Sequence, residues 1–293
     1  MTAAVASKWL GPAPFVGVWG RDPNGDPEGR GGLPLGPDTA VAYNPAVMPR
    51  LVFDIETSAV GLEHFDEVQQ EYLFREAERQ PTEEDKARKR AEISQQFSLW
   101  PFTAQVVCIA MINADSGKGQ VLYQSDDFDE EALESAESEN SGAAVEFAPQ
   151  VDEVELLTAF WDVAKRYDSI VTFNGRGFDV PFLYLRSALL NVPITRKDWL
   201  GYRYQTEPHC DLAEQFTFYN VSGREGAARK FNLDFYCKSF GIPSPKAMGI
   251  SGMDVSSLLA EGRHRDIAEY CLRDVVATVE LHKVWEERLK GIK

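Results

Sequence analysis

Apolar and polar positions along the chain lay out most of its elements. Leu51, Val52, Phe53 and Ile55 are β-prone and apolar at nearly consecutive positions, the pattern of a strand buried on both faces. Residues 61–100 then turn charged and helix-prone. Phe65, Val68, Tyr72 and Leu73 recur there at helical spacing, and Thr82 followed by Asp85, just past Pro81, reads as the start of a second helix. Gln105–Asn113 is a strong strand, Asp115–Gly119 a turn, and Val121–Tyr123 a third strand, so the three form a meander. Residues 126–150 read as an acidic, flexible loop. Val154, Leu157, Phe160, Trp161 and Ala164 mark an amphipathic helix, Ser169–Asn174 a fourth strand and Val180–Leu190 a further helix. His209–Leu212 is a short fifth strand, and the remainder is largely helical, ending in a long helix from about Arg265 to Leu289. A meander followed by helix–strand alternation predicts an α/β sandwich: one mixed five-stranded sheet with helices on both faces.

Composition changes this picture at the N-terminus. Residues 11–45 hold eight Gly and seven Pro in 35 positions, too little apolar surface to offset the entropy of ordering them. The expectation is a disordered or loosely attached segment over 1–47, then one domain over 48–293 with a helical insertion at about 61–100. Met48 directly precedes the first strand, and one reading makes it the native start. Peptides from upstream of Met48 in the natural protein would exclude that reading. No apolar run approaches the ~18 residues that span a bilayer, and no basic-then-apolar leader opens the chain. Cys108, Cys210, Cys237 and Cys271 are widely spaced and read as buried thiols of a reducing compartment. A cytoplasmic protein without a membrane partner is expected.

Charge adds a direction. A net charge of −16 argues against coating nucleic acid with the whole surface. Residues 119–164 carry thirteen acidic and no basic side chains, most simply a solvated loop and helix face, whereas residues 176–246 carry ten Lys or Arg against seven Asp or Glu. The second stretch is where a phosphate backbone can lie.

The candidate chemistry starts in the first strand. Side chains alternate across a strand, so Asp54 and Glu56 share a side, where two like charges repel and are costly to desolvate. Hard divalent cations are the usual solution, although Asp-x-Glu alone reads equally well as a solvated strand end. A second cluster, Phe173-Asn174-Gly175-Arg176-Gly177-Phe178-Asp179-Val180-Pro181, runs from strand end through a tight turn into a helix start. Asp179 there is either an N-cap or a further carboxylate of the same site. In the third, Tyr270 and Asp274 stand four apart on one face of the last helix, with Ile267, Cys271 and Val275 turning that face inward.

In this order the three clusters resemble the motifs of the DEDD 3′–5′ exonuclease superfamily. Tyr270 four residues before Asp274 matches its tyrosine subgroup; the histidine subgroup would need His at position 269, which is Glu269 here. The wording around Phe178–Arg186 and Tyr270–Asp274 is similar to the exonuclease domain of family B DNA polymerases and to stand-alone predicted exonucleases related to it, over residues from about 50 to 290. The resemblance implies a ribonuclease H-like fold and two-metal phosphodiester hydrolysis. Asp54, Glu56, Asp179 and Asp274 would hold two divalent cations, Mg²⁺ or Mn²⁺, with Tyr270 orienting the attacking water. Asn174, Phe178 and Thr57 are the substrate-contacting candidates beside them. The expected activity is removal of nucleotides from the 3′ end of single-stranded DNA, in repair or proofreading. The alternatives are an RNase D-like exoribonuclease, DNA being favoured over RNA by the motif wording, and a non-catalytic nucleic-acid-binding module on the same fold. The insertion at 61–100 departs from the short connection of the polymerase domains and bears on which ends can enter. Arg186 is placed to meet either a phosphate or an acidic side chain of a neighbouring helix. Arg224, Arg229 and Lys230 read as a basic loop, with a phosphate contact set against plain surface charge. The four histidines show no metal spacing.

Overall fold

The first strand, β1 (Arg50–Ala59), is longer than the strand that pairs with it on one side, and this mismatch creates the site. In the computed structural model, which describes residues 49–125, 136–137, 144–220, 226–246, 249 and 251–292, β1 pairs antiparallel with β2 (Ala104–Asn113) along nearly its whole length. Its other neighbour, β6 (Ser169–Thr172), is parallel and meets it only at Arg50–Val52. Beyond Val52 that edge of β1 is open.

β3 (Gly119–Gln124) continues the antiparallel meander from β2, and β7 (His209–Asp211) adds parallel to β6. The spatial order β3-β2-β1-β6-β7 is the expected mixed five-stranded core. Two further strands extend it past β3, β4 (Ala136–Glu137) and β5 (Ala144–Gln150), giving a sheet of seven with the order β4-β5-β3-β2-β1-β6-β7. The acidic, flexible loop expected over 126–150 is therefore corrected at its end. Val145 and Phe147 alternate inward and pair in parallel register with Gly119 and Val121. The rest of that stretch, apart from β4, lies outside the described residues, as do the N-terminal segment 1–47 and Arg224.

Helices cover both faces. Leu51, Phe53 and Ile55 look towards α3 (Glu153–Ala164) and α4 (Asp179–Leu189). There Phe53 packs on Phe160 at 5.4 Å and Trp199 at 5.7 Å, and Trp161 Nε1 donates to Ser187 at 2.8 Å. On the opposite face Val52, Cys108, Ala110, Val121 and Phe147 form one core with Ile267, Cys271 and Val275 of α8 (His264–Arg288). Each of the larger buried side chains there, Val, Ile or Phe, contributes ~1.5–3 kcal/mol. The short helices α5 (Leu212–Phe216), α6 (Leu233–Phe240) and α7 (Val255–Ala260) complete this layer. Arg186 meets the acidic partner, not an open phosphate site: it bonds the buried Glu153 at 2.9 and 2.5 Å, and Glu153 also accepts the Val106 N–H at 2.8 Å.

The insertion is a helical pair, α1 (Glu67–Glu78) and α2 (Glu83–Ser94). Asp66 and Gln69 form a capping box at the first, and Thr82 caps the second by accepting the Asp85 N–H. Its inward face differs in part from the one expected. Val68 and Tyr72 are 73% and 63% exposed, while Leu73 packs against the small core of Phe74, Ala77, Ile93 and Phe97. Tyr72 instead lies under Arg75, 4.3 Å from guanidinium to ring centre. The pair is fastened beside the C-terminal end of β1, where the Thr57 hydroxyl donates to Ser98 O at 2.6 Å.

Candidate active site

Alternation along β1 places Asp54 and Glu56 on the α8 side, with carboxylate oxygens within 4.8 Å of each other. Glu56 is 7% exposed, whereas Asp54 is half-buried and so reaches towards solvent. The pairing with β2 shifts register between Glu56 and Thr57, a bulge that marks where the regular ladder ends at the site.

Asp179 arrives from the other side. It is the first residue of α4, and its side chain does not cap the helix; Phe178 occupies the cap position without a side-chain bond. The carboxylate instead accepts the Ile55 N–H at 3.2 Å, a donor left free because β6 stops short. The N-cap reading of Asp179 is thereby excluded. Asp179 is 3% exposed and lies close enough to Asp54 for each carboxyl to shift the other.

α8 contributes the remaining pair. Cys271, fully buried, donates its S–H to Asp54 O at 3.5 Å and holds the helix against β1. One turn brings Tyr270 and Asp274 to the same edge, where phenol and carboxylate shift each other's titration. The sulfur of Cys271 is also within 4.8 Å of the oxygens of Asp54 and Glu56, but burial pushes its thiol well above the ordinary range, and it serves as the floor of the site.

The electrostatics follow from this convergence. Burial, then Asp179, Asp274 and Glu56, push Asp54 well above the usual carboxylate range. Burial, then Asp274 and Asp179, do the same for Glu56. Burial raises Asp179 to about 7 against the pull of its own and the Ile55 backbone N–H. It raises Asp274 to about 6 although Tyr270, Lys246 and Arg273 pull it down. Tyr270 is buried beside these carboxylates, so its phenol is held above its ordinary value of 10.0 and stays a donor. Among the described residues no Lys or Arg forms an ion pair with any of the four carboxylates. An oxygen-rich carboxylate cluster with no ion-paired Lys or Arg among the described residues fits hard divalent cations, and Asp54, Glu56, Asp179 and Asp274 are the residues to hold them.

Beside the cluster opens a cleft of about 880 Å³, whose walls include Asn174, Arg176, Lys230, Lys246 and Asp274. Asn174 sits in the left-handed region at φ 69°, where Asn is tolerated. Gly175 follows because a Cβ there would lie 2.4 Å from Thr172 Oγ1. Asp211, at the end of β7 and 1% exposed, holds this turn from beneath, accepting the N–H groups of Asn174 at 2.8 Å and Arg176 at 2.9 Å. The short strand containing Asp211 is legible in the sequence; its supporting role is not, because the two partners stand 35 and 37 residues away. Phe178 is half-buried with its ring 5.4 Å from that of Phe182. Thr57 is 7% exposed with its hydroxyl hydrogen already given to Ser98, so the structure does not bring its side chain into the cleft. Arg229 stacks on Phe231 at 5.1 Å, and Lys230 reaches the Asn174 side chain. No helix among the described residues is long and apolar enough to cross a membrane.

Comparison with known proteins gives a family match over residues 104–285, described as a predicted 3′–5′ exonuclease related to the exonuclease domain of PolB. That span contains Asn174, Phe178, Asp179, Tyr270 and Asp274; Asp54 and Glu56 lie before it. DNA polymerase 1 of Saccharolobus solfataricus is 28% identical over 185 residues, 60% of this chain and 19% of the polymerase. DNA polymerase 1 of Sulfurisphaera ohwakuensis is 30% identical over 138 residues, 44% of this chain and 15% of that protein. The chain thus spans less than a fifth of the length of these relatives. Among solved structures, the family B DNA polymerase of Pyrobaculum calidifontis matches with a TM-score of 0.49 and 20% identity, over 84% of this chain and 25% of that one.

Proposed function

The chain belongs to the family of predicted 3′–5′ exonucleases related to the exonuclease domain of PolB, and from that membership we propose that it hydrolyses single-stranded DNA from the 3′ end, releasing nucleoside monophosphates. The observation that carries the proposal is the convergence of Asp54, Glu56, Asp179 and Asp274 from three separate elements, with no ion-paired Lys or Arg among the described residues. Two divalent cations, Mg²⁺ or Mn²⁺, supply a clamp on the attacking and leaving oxygens of an in-line displacement when bound there.

The protein's own groups do the rest. Asp54, at the centre of the cluster, interacts with all three other carboxylates and would be a ligand to the bound cations. Glu56 and Asp179 are fixed by burial, Asp179 further by the Ile55 N–H, so the cluster is held ready before substrate arrives. Tyr270 keeps its proton and donates, which suits it to orient a water beside Asp274 and not to abstract a proton. The Phe178 ring, at the edge of the turn, is suited to stack on a terminal base or sugar.

Digestion of matched 5′-labelled and 3′-labelled DNA and RNA strands, wild type beside Asp54→Ala, tests the proposal. A ladder descending from the 5′-labelled DNA, requiring Mg²⁺ or Mn²⁺ and Asp54, is expected. Faster shortening of RNA would move the assignment to an exoribonuclease, and binding without shortening to a non-catalytic module.

A further inference from the structure

The turn that carries Asn174 is held twice, by different means. Its main chain is fixed from beneath, where Asp211 accepts the N–H groups of Asn174 and Arg176 and Thr172 Oγ1 accepts that of Gly175 at 3.1 Å. Its side chain is held from the front by Lys230, whose ammonium bonds Asn174 Oδ1 across 56 residues of sequence. An ammonium offers donors only, so the amide atom facing Lys230 must be the oxygen, and the nitrogen must point the other way. Asn174 and Lys230 both line the cleft that reaches Asp274, and Asn174 Nδ2 donates to no group among the described residues.

We propose that Lys230 is a positioning residue that locks the Asn174 amide with its N–H groups turned to the cleft, making Asn174 a fixed donor to an acceptor oxygen of the terminal nucleotide. The proposal rests on the exonuclease reading above. It replaces the phosphate contact that a basic loop would predict for Lys230: the lysine acts on substrate through Asn174. Because Lys230 is exposed and the main chain of the turn is held independently by Asp211, its removal leaves the fold and the carboxylate cluster in place.

Steady-state digestion of a 5′-labelled single strand by wild type, Lys230→Ala, Lys230→Arg, Asn174→Ala and the double variant tests this, with strand binding in EDTA read by fluorescence anisotropy alongside. Lys230→Ala should raise KM and the dissociation constant about five- to tenfold, the scale of one hydrogen bond, with kcat within about twofold of wild type. Lys230→Arg should restore most of the loss, and the double variant should be no weaker than Asn174→Ala. The salt dependence of binding should keep the wild-type slope. Unchanged KM and binding in Lys230→Ala would overturn the proposal. So would additive losses in the double variant, or a slope reduced by about 0.7, the mark of a direct phosphate contact. A wild type that binds strands and never shortens them overturns the exonuclease reading instead, and the anisotropy series still decides whether Lys230 acts through Asn174.

Discussion

The Asp179 carboxylate accepts the backbone N–H of Ile55 at 3.2 Å, a bond that joins the first turn of α4 to the strand bearing Asp54 and Glu56. It exists because β6 ends before β1 does. A shortened neighbouring strand therefore opens an edge donor, and a buried acid uses it to reach the cluster.

The cluster should trade stability for function. Asp54→Asn replaces a buried acid that its neighbours make costly to ionise, so the metal-free variant should melt a few degrees higher than wild type near neutral pH, about 2–4 °C per kcal/mol at this size. Its strand shortening should fall at least ~10³-fold, and added Mn²⁺ should no longer raise its Tm. Scanning calorimetry with and without Mn²⁺ reads the thermal effects, and digestion the loss of activity.

pH dependence follows from the raised carboxylates. Asp179 at about 7 and Asp274 at about 6, each from an ordinary 3.8, bind protons more tightly folded than unfolded. Their contribution to stability is present below pH ~4 and is lost as pH rises through 6 and 7. Glu286, lowered from 4.5 to about 2 by Lys290 and Arg50 against its burial, acts the opposite way but only below pH 4.5. His209 and His282, lowered by burial from 6.5 to about 4, oppose this as pH rises from 4 to 6.5, so the clean signature of the cluster is its metal response: Mg²⁺ or Mn²⁺ should raise Tm more at pH 7.5 than at pH 5. A metal-induced rise in Tm no larger at pH 7.5 than at pH 5 would contradict the arrangement.

Tyr270→Phe keeps the buried ring and removes the hydroxyl that pulls Asp274 down. Without it, Asp274 should titrate higher, moving the acid limb of the pH–rate profile upward. Activity should fall about 10- to 100-fold, less than for loss of a carboxylate, since one oriented hydrogen bond is removed and the four carboxylates remain.

Arg186 and Glu153 test the scaffold apart from the chemistry. Arg186→Ala leaves the Glu153 carboxylate buried without its cationic partner, which costs about 3–5 kcal/mol. Chemical denaturation should show that loss, while specific activity per folded molecule stays near wild type. An unchanged midpoint would remove Arg186 from the structural role given to it here.

Much of the fold is legible in the sequence. The meander and the long final helix follow from apolar runs, i,i+4 spacing and strand alternation, all of which are local, whereas the grouping of the carboxylates at 54, 56, 179 and 274 comes from the motif resemblance. β5 was hidden because the alternation of Val145 and Phe147 sits at the end of a run of acidic residues that dominates the composition. The inner face of α1 was misread because Tyr72 and Val68 share the helical spacing of a core stripe, while Phe74 and Ala77 do the packing. Asp211 and Lys230 could not be assigned their parts from sequence, since each meets the Asn174 turn only through folding of distant segments.

The central claim is that Asp54, Glu56, Asp179 and Asp274 together hold divalent cations. Anomalous diffraction from crystals grown or soaked in Mn²⁺ tests it most directly. Two peaks about 3.5–4 Å apart among these four carboxylates are predicted, both absent from Asp54→Ala. Mn²⁺ peaks elsewhere with none between β1 and α8, in crystals of protein that still shortens DNA, would contradict it.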